Sequence, residues 1–311
     1  VLCSPFVDLD SAERLQLEQG DPRTPSVRIA NPVSDAEPFL RTTLLPGLFE
    51  ALARNVGRGL SDVALFEIGP VFRARETGLL PSLPAGVRPS DVDLVALDAA
   101  LPSQPGRVAV VLAGMREQPG WWGKGRRESW ADAIDAARTL GRALGVEVAV
   151  TGDQHAPFHP GRCARLDLGG QLLGHAGELH PRVIEAFDLP ARVSAMELSL
   201  DVLLCGAAGV EAAPVVSAFP AAMIDVALAV AAETPAADVE SALRDGAGDL
   251  LEAIRLFDLY SGEQVGAGRK SLAFALRLRA PDRTLTADEV AAVRDRAVAE
   301  AADRLGAELR A

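Results

Sequence analysis

The chain has 311 residues, of which 49% are hydrophobic and 24% are charged, and its formal net charge at pH 7 is -12. This composition is ordinary for a folded globular protein and excludes a largely disordered chain, while the acidic balance argues against non-specific binding to nucleic acid. Because single domains usually hold roughly 100 to 200 residues, the length predicts two domains.

Three features that the sequence lacks bear on the cellular compartment of the protein and on the state of its cysteines. No apolar run approaches the roughly 20 residues of a membrane-spanning helix. The beginning, VLCSPFV, has neither the basic nor the apolar part of a signal peptide. Cys3, Cys163 and Cys205 are far apart and odd in number, which predicts free thiols rather than disulfides or a zinc site. We therefore expect a piece of a cytoplasmic protein.

The first part of the chain predicts a mixed fold. Amphipathic spacing with Pro46 in the first turn predicts a helix over 44–59, Ser129 and Gly145 bound a second helix, and a short third helix begins at Pro181. The proline-rich stretch 78–106 is expected to be a long surface loop. Runs rich in β-formers predict strands at 62–72, 107–115, 146–152, 163–169, 171–177 and 193–204. Several consecutive strands indicate a largely antiparallel sheet flanked by helices.

A stretch of small residues, 206–214, is typical of a linker and separates a first domain, 1–205, from a second, 215–311. The second domain predicts the order strand, helix, strand, strand, helix, strand. Its elements are strand 223–231, helix 235–245 between the cap Thr234 and the stop Gly246, strands 250–260 and 270–278, a helix opened by a capping box of Thr286 and Glu289, and strand 306–310. This βαββαβ order is that of the ferredoxin-like fold, whose four-stranded antiparallel sheet carries both helices on one face and leaves the other open.

The histidines are weak candidates for catalysis or metal binding. His155 and His159 have the spacing of a helical metal pair, but neighbouring prolines exclude the helix, so we expect no metal site. In GELHP, Glu178 and His180 favour a structural hydrogen bond over general base catalysis, because no nucleophile accompanies them.

WWGKGRRESW, from Trp121, brings aromatic and basic residues together, and two interpretations stay open. The segment could form a nucleic-acid or partner surface. It could equally be a solvated loop whose tryptophans pack on the core.

The hairpin of strands 250–260 and 270–278 contains the only tyrosine of the chain, Tyr260. Alternation in KSLAFALRLR predicts one face packed under the helices, formed by Leu272, Phe274, Leu276 and Leu278, and one open face, formed by Ser271, Ala273, Ala275, Arg277 and Arg279. On the partner strand, Phe257 and Leu259 are expected in the core, with Asp258 and Tyr260 facing outwards. An exposed aromatic ring beside small residues and arginines suits base stacking with phosphate contacts. The alternative is a surface tyrosine that only covers the sheet.

Several long blocks in the right order also resemble one family over essentially the whole chain. They are NPVSDAEPFLRTTLLPGLFEALARN from Asn31, LFEIGPVF from Leu65, HPGRCA from His159, GHAGELHPRV from Gly174, FDLYSG from Phe257, KSLAFALRL from Lys270 and RTLTADEV from Arg283. On these blocks the chain resembles the C-terminal part of the β subunit of bacterial phenylalanyl-tRNA synthetase, and WWGKGR and SWADAIDAAR resemble the actinobacterial branch.

The resemblance implies a class II synthetase-like, catalytically silent core followed by a ferredoxin-fold anticodon-binding domain. It implies an α subunit partner in an (αβ)2 heterotetramer, with tRNA(Phe) as the RNA partner. ATP and Mg2+ would be used by the holoenzyme, and no cofactor is expected in this chain. The family's tRNA-binding OB-fold, its editing domain and the stretch that supplies magnesium ligands are expected before Val1.

The residues themselves also predict that the core is catalytically silent. A class II site needs arginines on the α- and γ-phosphates of ATP, since phosphate charge must be neutralised. The motif 2 region reads FRARE, with Glu76 three residues after Arg73, and AMELSLDVL contains neither the glycines nor the arginine of motif 3. The expected RNA-binding residues are Tyr260, Asp258, Ser271, Ala273, Arg277 and Arg279.

One departure from the family pattern lies in FPAAMID, where Met223 and Ile224 occupy positions that are usually basic. Two rivals to the tRNA-binding hypothesis also stay open. The chain could be a structural or oligomerisation module whose open sheet binds protein, or its core could be an independent adenylating enzyme.

Overall fold

In the computed structural model of the chain, residues 1–24, 26–75, 83, 85–207, 209 and 217–310 are described. The chain divides into two compact units, Val1–Glu211 and Ala212–Ala311, called here the N-terminal and C-terminal units. Most of the predicted linker, 206–214, lies outside the described residues.

The N-terminal unit alternates strands with six helices within its described residues. Its strands are β1 (Phe6–Val7), β2 (Phe39–Leu40), β3 (Val63–Pro70), β4 (Gly106–Ala113), β5 (Met115–Glu117), β6 (Arg126–Arg127), β7 (Ala149–Gly152), β8 (Phe158–Leu168), β9 (Gln171–Leu179) and β10 (Ser194–Ser199). Its helices are α1 (Ser11–Arg14), α2 (Leu45–Gly57), α3 (Asp91–Ala100), α4 (Trp130–Ala143), α5 (Pro181–Ala186) and α6 (Leu200–Gly206).

Six of these strands form one antiparallel sheet in the order β3-β4-β10-β9-β8-β7. Its central strand β4 separates two cores because successive side chains point to opposite faces. Ala109 and Val111 pack with α2, whereas Val108 and Leu112 pack with α4. The predicted antiparallel sheet flanked by helices is therefore confirmed.

Two predictions for the N-terminal unit are wrong. The stretch expected to be a long loop contains helix α3, which opens with a capping box between Ser90 and Asp93 but has no buried residue, so it shows no amphipathic period. The strand expected over 193–204 ends at Ser199, whose hydroxyl accepts a hydrogen bond from the Val202 amide and so caps helix α6. Because Ser199 lies within a run of apolar residues, the pattern that predicts a strand does not reveal that this serine begins a helix.

The C-terminal unit contains strands β11 (Ala222–Ala231), β12 (Leu251–Tyr260), β13 (Arg269–Leu278) and β14 (Glu308–Arg310), with helices α7 (Ala236–Ala247) and α8 (Ala287–Leu305). The sheet is antiparallel in the order β12-β13-β11-β14, which is the ferredoxin-like arrangement. Both helices contribute to one core with the inward residues of β11 and β13. The predicted ferredoxin fold is confirmed.

The two helices of this unit test the predicted caps. Thr286 and Glu289 form the expected capping box, and α8 ends at Gly306 in the left-handed conformation, with φ 61°. For α7 the predicted caps are wrong, because Pro235 precedes the helix and Gly248 follows it. Gly246 lies inside α7. The position requires a glycine because a Cβ there would come within 2.7 Å of the Ala297 Cα atom on α8. It is a packing glycine rather than a stop.

Among the residues that the structure describes, no helix has both the length and the apolar character that crossing a membrane requires.

Candidate nucleic-acid interface

The sheet of the C-terminal unit has one face away from its helices, called here the open face. Residues directly paired across antiparallel strands share a face, and the register assigns to this face Ala253, Arg255, Asp258 and Tyr260 of β12, Ser271, Ala273, Ala275 and Arg277 of β13, and Met223, Asp225, Ala227 and Ala229 of β11. The other face carries Leu272, Phe274, Leu276 and Leu278, all fully buried, so the predicted alternation of β13 is confirmed.

Tyr260 pairs with Ser271 at one end of the open face, and 39% of the tyrosine is exposed. The guanidinium carbon of Arg310, on β14, lies 5.9 Å from the centre of the Tyr260 ring, which is within the range of a cation–π interaction. Arg269 shares this end and makes an ion pair of 2.8 Å with Glu308. This end of the open face therefore carries one aromatic ring and two arginines, of which Arg310 lies beside the ring.

Arg277 lies at the opposite end of the open face. It is six residues from Ser271 along β13, a separation of about 20 Å at the usual rise of a strand. The alternation of residues predicted that Tyr260 and Arg277 share a face, but it could not give the distance between them. It also did not identify Arg310 as a candidate RNA-binding residue. The position of Arg310 could be inferred only from β14 pairing with β11, because Arg310 is opposite Ala227.

Arg277 and Arg279 share one carboxylate, that of Glu252. The Nε atom of Arg279 donates to Glu252 Oε1 at 2.9 Å, and Arg277 Nε contacts the other oxygen. Desolvation raises the pKa of Glu252, but the Arg279 hydrogen bond and both positive charges lower it more, so the pKa lies below its usual value. Arg279 also donates to the Phe219 carbonyl oxygen. A phosphate at this end must compete with Glu252 or use the remaining N–H groups.

Three predicted positions differ from expectation in exposure. Ser271 is only 6% exposed, because it lies on an inner strand between Tyr260 and Ala229, so its hydroxyl is not on the surface. Phe257 and Leu259 were expected in the core but are 46% and 55% exposed. A β-bulge between Leu256 and Asp258 inserts Phe257 as an extra residue, which breaks the period of two. Leu259 pairs with the buried Leu272 on the helix-facing side, as predicted, and is exposed because β12 is an edge strand.

Asp258 and Ala273 face each other across the β12–β13 pair, and Asp258 is exposed. The open face also carries the carboxylates of Asp225, Glu252 and Glu308 near its arginines. Positive and negative groups therefore nearly balance, and the face is not a uniformly basic surface. Binding of RNA here would depend on stacking and on particular arginines rather than on a broad positive field.

The two residues that depart from the family pattern lie on different faces. Met223 pairs with Arg277 on the open face and is 63% exposed. Ile224 pairs with Leu276 and packs against the core. Only position 223 can present a side chain to a ligand on the open face.

The histidines of the N-terminal unit form two pairs that sequence spacing does not show. His155 and His175 stack with ring centres 3.8 Å apart, and His159 lies 6.3 Å from His180. His180 accepts a hydrogen bond from the Arg182 amide as the cap of α5, while Glu178 pairs with Arg162. Within the described ranges, no three His, Cys, Asp or Glu residues are grouped as metal ligands.

The histidine stack is neutral at pH 7. Burial, together with the positive charges of Arg23 and of His175 whenever that ring is protonated, lowers the pKa of His155 to about 4. Burial also lowers the pKa of His175, against the opposing effect of its hydrogen bond to Asp153, which measures 3.0 Å.

The tryptophan loop is exposed. Trp121 and Trp122 are 95% and 64% exposed and contact each other edge to face, with ring centres 5.7 Å apart. The interpretation in which these tryptophans pack on the core is therefore wrong for both. Arg126 is held by Asp132, at 2.7 and 2.9 Å, and by Glu117.

The residues of the expected silent core are engaged in structural contacts. Glu197 of β10 accepts hydrogen bonds from the Thr43 hydroxyl at 2.9 Å and from the Leu44 amide at 2.6 Å. The strand β10 ends at Ser199 and contains no arginine. Arg73 follows β3, and Glu76 of the motif 2 region lies outside the described residues.

Comparison with known families divides the chain in a similar way. The family described as "Phenylalanyl tRNA synthetase beta chain CLM domain" matches residues 1–200. The "Ferredoxin-fold anticodon binding domain" matches residues 217–310, which contain the open face.

Curated relatives carry the name phenylalanine–tRNA ligase beta subunit. The protein of Streptomyces avermitilis is 56% identical over 311 residues, which are 98% of this chain and 37% of that protein. The protein of Thermobifida fusca is 54% identical over 316 residues, covering 100% of this chain and 38% of the relative. The protein of Mycobacterium leprae is 49% identical over 313 residues, with coverages of 100% and 37%. The chain thus spans a little over a third of the length of these relatives.

Proposed function

The chain belongs to the phenylalanyl-tRNA synthetase beta chain family, and on this premise we propose that it supports the attachment of phenylalanine to tRNA(Phe) in the cytoplasm. Its C-terminal unit would bind the anticodon region of the tRNA, and its N-terminal unit would dock a catalytic α subunit in an (αβ)2 heterotetramer.

The observation that carries the tRNA proposal is the position of Tyr260. The ring is partly exposed beside the small residues Ser271 and Ala229 of the neighbouring strands, and the Arg310 guanidinium lies 5.9 Å from its centre. Every base presents a flat face, and stacking on an aromatic side chain stabilises a bound base by about 1 to 3 kcal/mol. Arg255, which is exposed between the two ends of the open face, adds a cation that can contact phosphate.

Docking of an α subunit is supported by an exposed apolar surface on the N-terminal unit. Phe66 and Ile68 of the edge strand β3 are 59% and 53% exposed. They line an open groove of about 360 Å3 together with Val110 of β4 and Leu140 of α4. Apolar side chains concentrated at a sheet edge are typical of a surface that a partner protein covers.

We assign the chemistry, with its ATP and Mg2+, to the α subunit. The support lies in the residues of this chain: Glu197 is bonded to Thr43 and Leu44, and β10 offers no arginine for a γ-phosphate. Binding energy used at the anticodon would orient the acceptor end of the tRNA for reaction on the partner.

The test is Tyr260→Ala in the complete β subunit assembled with its α subunit. Loss of stacking should raise the KM for tRNA(Phe) about 5- to 150-fold, corresponding to roughly 1 to 3 kcal/mol. Phenylalanine-dependent pyrophosphate exchange should not change, because it needs no tRNA. Tyr260→Phe, which keeps the ring, is the matched control and should behave like the wild type. Unchanged tRNA kinetics in Tyr260→Ala would remove this residue from the interface.

The rival function, an oligomerisation module that binds protein, is favoured by the exposed apolar edge of β12. Phe257, Leu259 and Leu256 are at least 36% exposed along this strand. Salt distinguishes the two: RNA binding should weaken steeply with added salt through counterion release, whereas an apolar protein contact should not. Binding of tRNA by the Phe257→Ser variant with wild-type affinity and salt dependence would count against the rival.

A further inference from the structure

A cavity of about 270 Å3 lies on the N-terminal unit, on the sheet face that carries Arg107, His175 and Glu197. One wall is polar and includes Arg23, Arg73 and Arg107. An apolar wall includes Leu172, Leu173 and Val202, and His155, His175, Glu197 and Ser199 complete the polar part of the lining.

The charged groups of this cavity are not equally compensated. Arg23 is held by Asp21 through two hydrogen bonds of 2.9 and 2.7 Å and by the Ala156 carbonyl oxygen at 2.8 Å. Across the part of the chain that the structure describes, neither Arg73 nor Arg107 has a guanidinium hydrogen bond or an ion pair with a carboxylate. Glu197, the carboxylate of the lining, accepts the hydrogen bonds from Thr43 and Leu44 at its Oε1 atom and keeps its negative charge beside Arg73.

Arg73 and Arg107 are both partly buried and repel each other. Burial lowers the pKa of Arg73, and the positive charge of Arg107 lowers it further, against the attraction of Glu197. Their backbones are fixed, since Arg73 exchanges hydrogen bonds of 2.8 and 3.0 Å with Ser103 and Arg107 lies within β4. The two arginines share this cavity with one carboxylate, that of Glu197, so an excess of positive charge remains and favours the binding of an anion.

We propose that this cavity binds the phosphate group of a small phosphate monoester, with its organic part against the apolar wall. The N–H donors of two guanidinium groups can bind more oxygens than the two that one carboxylate contains. A phosphate monoester supplies three terminal oxygens to these donors. A phosphate monoester also carries about two negative charges, which match the two arginines.

The size of the cavity limits the organic part. A cavity of about 150 Å3 holds a benzene ring, so 270 Å3 accommodates a single ring beside a phosphate. Pockets for larger ligands begin at roughly 300 Å3. A compact monoester therefore fits within the cavity.

The site is tested with phenyl phosphate and inorganic phosphate on the complete β subunit in complex with its α subunit. Hydrogen exchange of the β9 and β10 amides reports binding at this cavity separately from any site on the partner. Both probes should slow exchange in these strands saturably, and phenyl phosphate should bind more tightly because its ring contacts the apolar wall.

Arg73→Ala and Arg107→Ala should each raise the Kd for phenyl phosphate at least tenfold, which is about 1.4 kcal/mol. The matched control is Arg142→Ala, since Arg142 lies on α4 and bonds to Thr139 of the same helix; this variant should bind as the wild type does. Arg107→Lys keeps the charge without the planar fork, should fold, and should bind with intermediate affinity.

Equal affinities of wild type and both alanine variants would overturn the proposal, as would unchanged exchange in β9 and β10 of the wild type. Equal affinity for the two probes would overturn the monoester assignment. Because these measurements use no tRNA, their outcome is separate from that of the anticodon proposal.

Discussion

The N-terminal unit and the C-terminal unit each contain an arginine–glutamate pair at a sheet, but the two pairs lie in opposite environments. The Arg41 and Glu67 side chains are 5% and 0% exposed, with 2.8 Å between nitrogen and oxygen. The Arg277 and Glu252 side chains are 46% and 39% exposed. A buried pair must stay intact, because a single charge left in the interior is not solvated by water. In an exposed pair, the arginine can exchange the glutamate for a ligand.

The largest expected effect comes from breaking the buried pair. Arg41→Met would leave the Glu67 carboxylate buried without a counter-charge, which should lower the free energy of unfolding by about 3 to 5 kcal/mol. Hydrogen exchange of the β3 and β4 amides measures this loss.

Two further variants control that prediction. The double variant Arg41→Met/Glu67→Leu removes both charges and should recover most of the loss. Arg277→Met, its exposed counterpart, should lower the stability of its own unit by less than about 1 kcal/mol. Equal losses in Arg41→Met and Arg277→Met would show that burial does not separate the two pairs.

A smaller effect is expected from the buried histidine stack as the pH falls. The pKa of His155 is about 4 in the folded chain and 6.5 in the absence of the fold. Between these values the unfolded chain binds a proton that the folded chain does not, so the N-terminal unit should lose stability as the pH falls from 6.5 to 4.

Each pKa unit corresponds to about 1.4 kcal/mol, and solvent screening of this partly exposed ring reduces the total loss to the order of 1 kcal/mol. Unfolding measured as a function of pH for wild type and His155→Gln isolates this contribution, since the variant should lack it. A His159→Gln control should keep it. No difference in pH dependence between wild type and His155→Gln would contradict the prediction.

The smallest effect concerns the open face. Met223→Arg adds a cation opposite Arg277, so it should strengthen tRNA binding by less than about tenfold, with one further phosphate contact steepening the salt dependence by about 0.7 for a single strand. Ile224→Arg is the matched control, because its charge would enter the core and destabilise the unit by several kcal/mol. A filter-binding titration at several salt concentrations measures the first effect. Salt dependence unchanged by Met223→Arg would place the RNA elsewhere.

Local signals accounted for much of the fold. The capping box of Thr286 and Glu289 and the stop at Gly306 place α8 correctly because each acts within one helical turn. A similar signal, Ser90 with Asp93, was present at α3, but the surrounding prolines and the missing apolar period obscured it. At α7, Gly246 resembled a helix stop, and only the close approach of α8 explains why it is a glycine.

The candidate site was predictable only in part. Tyr260 and Arg277 were correctly placed on one face, since alternation within a strand is local. Ser271 is buried and Phe257 exposed because neighbouring strands and a bulge decide those exposures. The sharing of Glu252 by Arg277 and Arg279, and the position of Arg310 beside Tyr260, need strand pairings that no short segment encodes.

The sequence by itself determined the order of the elements and the ferredoxin-like topology of the C-terminal unit, and the family, because periodicity, caps and long matching blocks are properties of the chain read in order. Only the tertiary structure decided which charges are paired. Pairing depends on which strands become neighbours and in what register. It left Arg277 sharing the Glu252 carboxylate with Arg279, while Arg73 and Arg107 line a cavity and form no ion pair among the described residues. Electrostatic attraction acts between residues close in space, and distance along the chain does not report that closeness.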